Sequence, residues 1–564
     1  MLCRMHTRHA RRSTRTRPAV LPGITLVAAA LLISGCGRKE PAATDAPAPA
    51  TEPGTASATT GAHPKLPPGI DWFEGDVDAA FAAARETSRP LFLYWGAEWC
   101  PPCGQIKSTI FNRREFQERS RLFVPVYLDG DTPSAQKQGE RFGIVGYPTM
   151  ILFRPDGTEV TRLPGGVDIA RYAKILDVAL ADARPVKEIL AAAAHGGEVK
   201  ADDWRLLAYY EWGADNGRAL ARAHAIGTFR ALSDRCPVEL QADCARLYFE
   251  YLSAIVDAGD EARASFTGLD RAVARKRLLE LLAQPAVGRA NVDNLLFGAR
   301  DVVDLLTDPG STERRQLTDA WRAALGRLAA EDGDAMLAGR EQIYVVRARV
   351  VLAQLDSPGT PTPPALLEEA RQVVARVDGE TTDPYARQAT VNASVNLYWE
   401  AGLEEDANRL LVAELGKAKT PYYFMLDLAE LAQKAGREQE AVQWLARAYD
   451  GAEGPATRFQ WGYSYLVGLV EMTPEDAAAI ERTGLAVLGE LGETPDAFHQ
   501  RTRTRLDQLS AKLLEWGSTG DHAKVIESLR RRTGEICRGL PEGDQGRVNC
   551  ERFLAPAATA TQGV

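Results

Sequence analysis

Two regimes of hydrophobic spacing divide this chain. Between residues 69 and 184, short apolar runs alternate with stretches in which apolar positions recur every three or four residues. The runs Leu91–Trp95, Phe123–Leu128, Thr149–Phe153 and Glu159–Leu163 predict strands. The periodic stretches Val77–Arg85, Ser134–Phe142 and Ile169–Ala181 predict helices, and a further helix opens at Cys103, with Ile106 and Ile110 four apart. Pro125 cannot donate to a ladder, so the second strand must carry it at a sheet edge or a bulge. Pro155-Asp156-Gly157 predicts a hairpin turn, and Gly165-Gly166 precedes the last helix. Asn112 with Glu115 three residues on reads as an N-cap, so the helix from Cys103 is expected to stop and restart there.

From about residue 185 to 555 the alternation disappears and only helical periodicity remains. Pro309-Gly310, Pro358-Gly359 and Gly454-Pro455 fall where links between helices are expected. The stretch Ala401–Ala407 recurs as Ala435–Ala441, an offset of 34 residues, which resembles the tetratricopeptide turn. The expected architecture is an α/β unit over residues 69–184 followed by a large all-α, solenoid-like region over 185–555, with a disordered tail at 556–564. Trp204, Tyr209, Tyr210 and Trp212 fall in one predicted helical segment and read as core packing rather than a ligand cage.

The N-terminus carries an address. Six arginines precede the mostly apolar run Ile24–Ile33, which is too short to span a bilayer. Leu32-Ile33-Ser34-Gly35-Cys36 resembles the lipobox of bacterial lipoproteins, which implies cleavage of residues 1–35 and lipidation of Cys36. A plain secretory signal is the rival reading. Gly37 lacks the aspartate that holds some lipoproteins in the inner membrane, which favours the outer membrane. Residues 36–68, rich in Ala, Pro, Thr and Glu, predict a disordered tether. Loss of the signal takes the formal charge from −9 to −15, and an acidic chain without a basic stripe excludes nucleic acid as a partner. Membrane attachment rests on the lipid, since no internal apolar run is long enough to span.

Eight cysteines bring in chemistry. Cys3 leaves with the signal, and Cys36 takes the lipid. Cys236 with Cys244 and Cys537 with Cys550 form two local pairs, read as structural disulfides of an oxidising compartment. A zinc site is the alternative, but no histidine stands at ligand spacing beside either pair, so no metal is assigned. Eight residues of straight helix rise about 12 Å, beyond disulfide reach, so Cys236-Pro237 should lie in a turn. Cys100 and Cys103 differ in kind. A buried strand, a short Gly-Ala-Glu link and then Cys-Pro-Pro-Cys at a helix start is the geometry that dithiol exchange needs. The helix terminus stabilises a thiolate at the first cysteine, and the second is near enough to close the ring.

Trp99-Cys100-Pro101-Pro102-Cys103, the Tyr147-Pro148-Thr149 segment before an apolar strand, and the following hairpin together resemble the thioredoxin superfamily. Within it, they are most similar to the periplasmic C-terminal domain of the disulfide reductase DsbD and to thioredoxin-like lipoproteins. The resemblance implies a cis-proline loop at Tyr147, Pro148 and Thr149 that presents main chain to a substrate, Cys100 as the exposed nucleophile, and Cys103 as the resolving thiol. Two positions depart from those relatives. Tyr94 replaces a buried aspartate six residues before the first cysteine, and Lys107 replaces a glutamate one turn after Cys103. Both changes favour thiolate at Cys100, with Trp99 and Glu98 as further tuning groups and Glu98 opposing.

The expected function is that of a lipid-anchored periplasmic thiol:disulfide oxidoreductase, with reduction favoured and a helical region that recruits a protein partner. It carries no nicotinamide or flavin motif, so no cofactor is expected. Electrons would pass through periplasmic protein disulfides or dithiols, with a DsbD-type membrane protein as the electron donor. The alternative is an envelope scaffold whose helical array is primary and whose α/β unit binds without turnover. Asp129-Gly130-Asp131 reads as a strand-end turn rather than a calcium loop. His195, His224, His499 and His522 are isolated in sequence and take no role.

Overall fold

The computed structural model describes residues 66–165, 168–258, 268–333, 336–492 and 496–555. The signal, Cys36, most of the tether and the tail lie outside the described residues. The described residues form one compact unit by contact.

Its α/β part holds four strands. They are β1 (Leu91–Gly96), β2 (Val124–Asp129), β3 (Thr149–Phe153) and β4 (Glu159–Leu163), in the sheet order β2-β1-β3-β4. β1 pairs parallel with β2 and antiparallel with β3, and β3 pairs antiparallel with β4. β1 is apolar throughout because both of its faces are covered. Phe92 and Tyr94 face the side that carries the dithiol helix, whereas Leu91, Leu93 and Trp95 face the side of α1 (Val77–Thr87). β2 starts one residue later than its hydrophobic run suggests and lies at the sheet edge, where Pro125 is tolerated; its carbonyl accepts from the Phe73 amide at 2.8 Å.

The dithiol helix is α2 (Pro101–Ile106), and it runs on into one π-helical turn, Lys107–Phe111. That wider turn lets Ile110 and Phe111 both turn inward. α3 (Arg114–Arg119) begins one residue later than expected. Its N-cap is Arg113, with no side-chain cap, which leaves Glu115 a position short of a capping box. Asn112 is drawn elsewhere: its amide donates to Asp383 of the helical region at 3.4 Å. α4 (Pro133–Arg141) covers the α1 side of the sheet, and α5 (Ile169–Leu180) covers the dithiol side.

Beyond α5 every described element is a helix. Both copies of the 34-residue motif place glycine, Gly402 and Gly436, at positive φ of 80° and 72° between paired helices, 384–401 with 404–414 and 421–434 with 438–451. The aromatic segment breaks sooner than its periodicity implied. The helix ends at Tyr209, Tyr210 is its C-cap and Trp212 starts a 3₁₀ turn, because the Tyr210 hydroxyl is drawn to Asp215 at 2.7 Å. Trp204, Tyr209 and Tyr210 are buried in the core.

No solvent layer separates the two parts. One apolar cluster runs from Phe92, Met150, Tyr172 and Leu176 into Val186, Ile189 and Leu207. Leu66, within the segment expected as tether, is buried in the same cluster. Arg162 of β4 fixes the join: its side chain is fully buried and donates to the carbonyls of Ala214 at 2.5 Å and Phe142 at 2.6 Å, and to Glu159 at 2.9 Å. Arg162→Met removes all three donors from buried acceptors. It should cost about 3 kcal/mol, read as a lowered denaturant midpoint with an unchanged slope.

Candidate functional site

The site begins with the helix start. Cys100 is the N-cap of α2, in extended backbone, and Pro101 and Pro102 occupy the first turn, where their missing amide hydrogens are not required. The Cys103 amide donates to Cys100 Sγ at 3.2 Å. This is the contact through which a helix start stabilises a thiolate. The Cα atoms of Cys100 and Cys103 are 5.2 Å apart and the two sulfurs are bonded. Tyr147 packs beside Trp99 and the dithiol cluster, the Tyr147-Pro148 peptide is cis, and Pro148 leads directly into β3. Thr149 is buried and its hydroxyl donates to the Gly146 carbonyl at 2.9 Å. The structure thus brings together Cys100, Cys103, Trp99, Tyr147, Pro148 and Thr149.

Cys100 does not present itself to solvent. Its exposure is 2%, and Cys103 has none. The expectation of an exposed nucleophile fails because the helical region lies over the dithiol. The Trp99 ring meets Trp461 edge-on at 5.0 Å, lies parallel to Tyr423 at 6.3 Å and tilts against Tyr147 at 5.2 Å. Its indole donates to Asp131 at 2.9 Å, and its carbonyl accepts from the Gln388 amide. The Arg501 guanidinium stands over both Trp99 and Tyr147, 5.6 and 5.2 Å from the ring centres.

Asp131 is the residue that sequence reasoning passed over. Its turn forms as expected, with its amide bonded to Asp129. The carboxylate itself is buried, accepts from Trp99 and from the Thr457 hydroxyl, and lies 3.9 Å from Arg501. No local signal sets it apart from an ordinary turn aspartate, because its partners Trp99 and Thr457 are remote in sequence. His499, isolated in sequence, lies 2.7 Å from Glu140 in space, whereas His522 stacks on Trp516.

The groups expected to tune the thiol are spread out. Tyr94 is buried under the sheet, stacked on Tyr127 at 5.4 Å, and desolvation holds its phenol well above the ordinary range. Lys107 is buried with its ammonium 5.7 Å from the Tyr385 ring centre. Glu98 is half-buried and borders, with Gly104, Lys107, Tyr385, Gln388 and Lys419, a cavity of about 420 Å³ beside α2. Far from the dithiol, Cys236 and Cys244 are bonded across a helix break at Pro237, with Cα atoms 6.2 Å apart. Cys537 and Cys550 are bonded with Cα atoms 5.7 Å apart.

Burial raises the pKa of Asp131 despite Arg501 and the two donors. A folded-state pKa above the unfolded value means the native state binds the proton more tightly. The corresponding stability is full below the ordinary aspartate range and is lost as pH rises through the raised value. Asp131→Asn removes that dependence. The stability of the wild-type chain minus that of the variant should shrink between about pH 3 and about pH 7, measured by denaturant unfolding across that range.

The family described as a thioredoxin-like domain matches residues 77–180. The thiol:disulfide interchange protein DsbD 1 of Pseudomonas aeruginosa is 30% identical over 104 residues, which are 18% of this chain and 18% of that protein. The chain therefore spans less than a fifth of that relative's length. Thioredoxin of Acidithiobacillus ferridurans is 30% identical over 107 residues, 19% of this chain and 88% of the relative. Thioredoxin of Pseudomonas aeruginosa is 27% identical over 104 residues, 18% of this chain and 90% of the relative. With its dithiol at a helix start, a cis-proline leading into β3 and nearly all of a thioredoxin's length covered, the chain belongs to the thioredoxin family through its α/β part.

Proposed function

We propose that the protein is a thiol:disulfide oxidoreductase acting through Cys100 and Cys103, with reduction of substrate disulfides as its working direction. The observation that carries this is the Cys103 amide donating to Cys100 Sγ at the start of α2. In the reduced form the Cys100 thiolate attacks one sulfur of a substrate disulfide. One substrate thiolate leaves, and an enzyme–substrate mixed disulfide forms. Cys103 then attacks Cys100 Sγ, the second substrate thiolate leaves, and two electrons have passed to the substrate as the Cys100–Cys103 bond closes. A dithiol on another protein returns the electrons by the reverse exchange. The likeness to DsbD 1 supports a membrane protein of that kind as donor, and Lys107 in place of a carboxylate supports a low Cys100 pKa.

The address follows from sequence: lipidation at Cys36 after removal of residues 1–35, periplasmic placement, and the outer membrane as the site of attachment. Cys36→Ala should abolish membrane retention, read by fractionation together with the mass of the mature N-terminus. The motif spaced by 34 residues supports a tetratricopeptide-like array that binds a protein partner. A second reading, a scaffold whose helical array is primary, is favoured by the 2% exposure of Cys100.

A trap separates the two. Cys103→Ser expressed in the native envelope, quenched with acid and alkylating agent, should accumulate mixed disulfides through Cys100 on non-reducing gels. These should vanish in a Cys100→Ser control. A folded, exported variant that traps nothing sinks the exchange reading in favour of the scaffold.

A further inference from the structure

The two sides of the α/β part meet the helical region in different ways. On the α5 side the join is a continuous apolar core, with Tyr172, Ile175 and Leu176 packed into Val186 and Ile189 and Arg162 buried across it. Around the dithiol itself, where β1 ends and α2 begins, a second cluster forms, and the apolar contribution of the α/β part to it is small. Ala97, Trp99, Cys100 and Cys103 are its only buried members in that cluster among the described residues, and Tyr147 packs beside them. The rest of the contact there is polar and charged. His499 and Arg503 meet Glu140 at 2.7 and 2.8 Å, Lys137 meets Asp496 at 3.2 Å, and Gln500 donates to the Ile144 carbonyl. Interfaces of that composition are the ones that open and close, and their exposed charge pairs are individually weak. Packing there is incomplete as well: the cavity of about 420 Å³ lies along the seam between α2 and helix 384–401.

We propose that helices 384–401, 421–434, 455–472 and 500–519 form an autoinhibitory cap over the dithiol. It is hinged at the apolar α5 side and must lift before a protein disulfide reaches Cys100. The inference rests on the exchange reading of the site. The cap is latched at one residue. Trp99 fills a socket made by Trp461, Tyr423 and Arg501, and Asp131 ties the Trp99 indole to Thr457 of the cap. Gln388 takes the Trp99 carbonyl, a main-chain group beside the dithiol that the closed cap withholds from any incoming chain. The Tyr385 carbonyl lies against Gly104, where a Cβ would run into it. The seam cavity leaves α2 and the cap unpacked from one another along Glu98, Lys107, Gln388 and Lys419.

The test uses the full chain and measures the rate at which a bulky polymer-linked maleimide modifies Cys100. It is scored without reductant in a Cys3→Ser, Cys36→Ser, Cys103→Ser background, so that the Cys236–Cys244 and Cys537–Cys550 bonds stay closed and Cys100 is the one free thiol. Thr457→Val keeps shape while removing the latch donor, Gln388→Ala removes the carbonyl tie, and Trp461→Ala empties the socket. Each should accelerate modification, by about tenfold for Trp461→Ala, and raising salt should accelerate the wild-type cap by loosening its charge pairs. Circular dichroism checks folding; should Trp461→Ala misfold, the two milder variants decide. Equal rates in wild type and the folded variants would overturn the cap. Because alkylation reads access and not electron transfer, a chain that is gated as described but traps no mixed disulfide would retain the cap and lose the exchange reading.

Discussion

The seat of Trp99 is the contact on which the site depends. A tryptophan immediately before the dithiol carries more apolar area than the short link around it can cover. Here that area is buried against Trp461, Tyr423 and Tyr147, and the single polar atom of the ring is satisfied by Asp131. Because the same carboxylate also accepts from Thr457, the indole, the strand-end turn after β2 and the helical region share one buried acceptor. Removing any member leaves a desolvated polar group without its partner, which is costlier than the bond itself is worth. Position and burial of the dithiol are thus set by residues more than three hundred positions downstream.

That dependence explains how a dithiol at a helix start comes to be buried. The helix start arranges the chemistry locally: Cys100 as N-cap, the Cys103 amide on its sulfur and cis-Pro148 before β3 are all features of residues 91–153. Access is arranged globally, by side chains from four separate helices of the downstream region. The two can change independently.

Much of the α/β part was legible in the chain because its signals are local. The all-apolar β1, the edge or bulge that Pro125 requires, the hairpin turn and the dithiol at a helix start all depend on residues within a few positions of one another. Cys236 with Cys244 and Cys537 with Cys550 are close enough in sequence to suggest themselves as pairs. The restart of the helix was misplaced by one residue because Asn112 answers to Asp383 rather than to its own helix. Burial of Cys100 was not legible at all. Gln388, Thr457, Trp461 and Arg501 belong to helices of the downstream region, and nothing in a helical pattern says which α/β surface such a helix will meet. Asp131 had the same difficulty: a turn aspartate and an aspartate that latches a tryptophan look alike until the partner is seen.

The two prolines between the cysteines have a further consequence. Amide hydrogens of a first helical turn converge on whatever anion sits at the N-cap. Pro101 and Pro102 supply none, and the Gly104 amide is already given to the Cys100 carbonyl at 3.1 Å. Cys103 is left as the one backbone donor reaching the Cys100 sulfur from that turn. The anion hole of this dithiol is therefore single-toothed. Its strength is tied to one bond whose donor residue also carries the sulfur bonded to Cys100, so the amide that reaches one sulfur and the thiol that pairs with it arrive on the same residue.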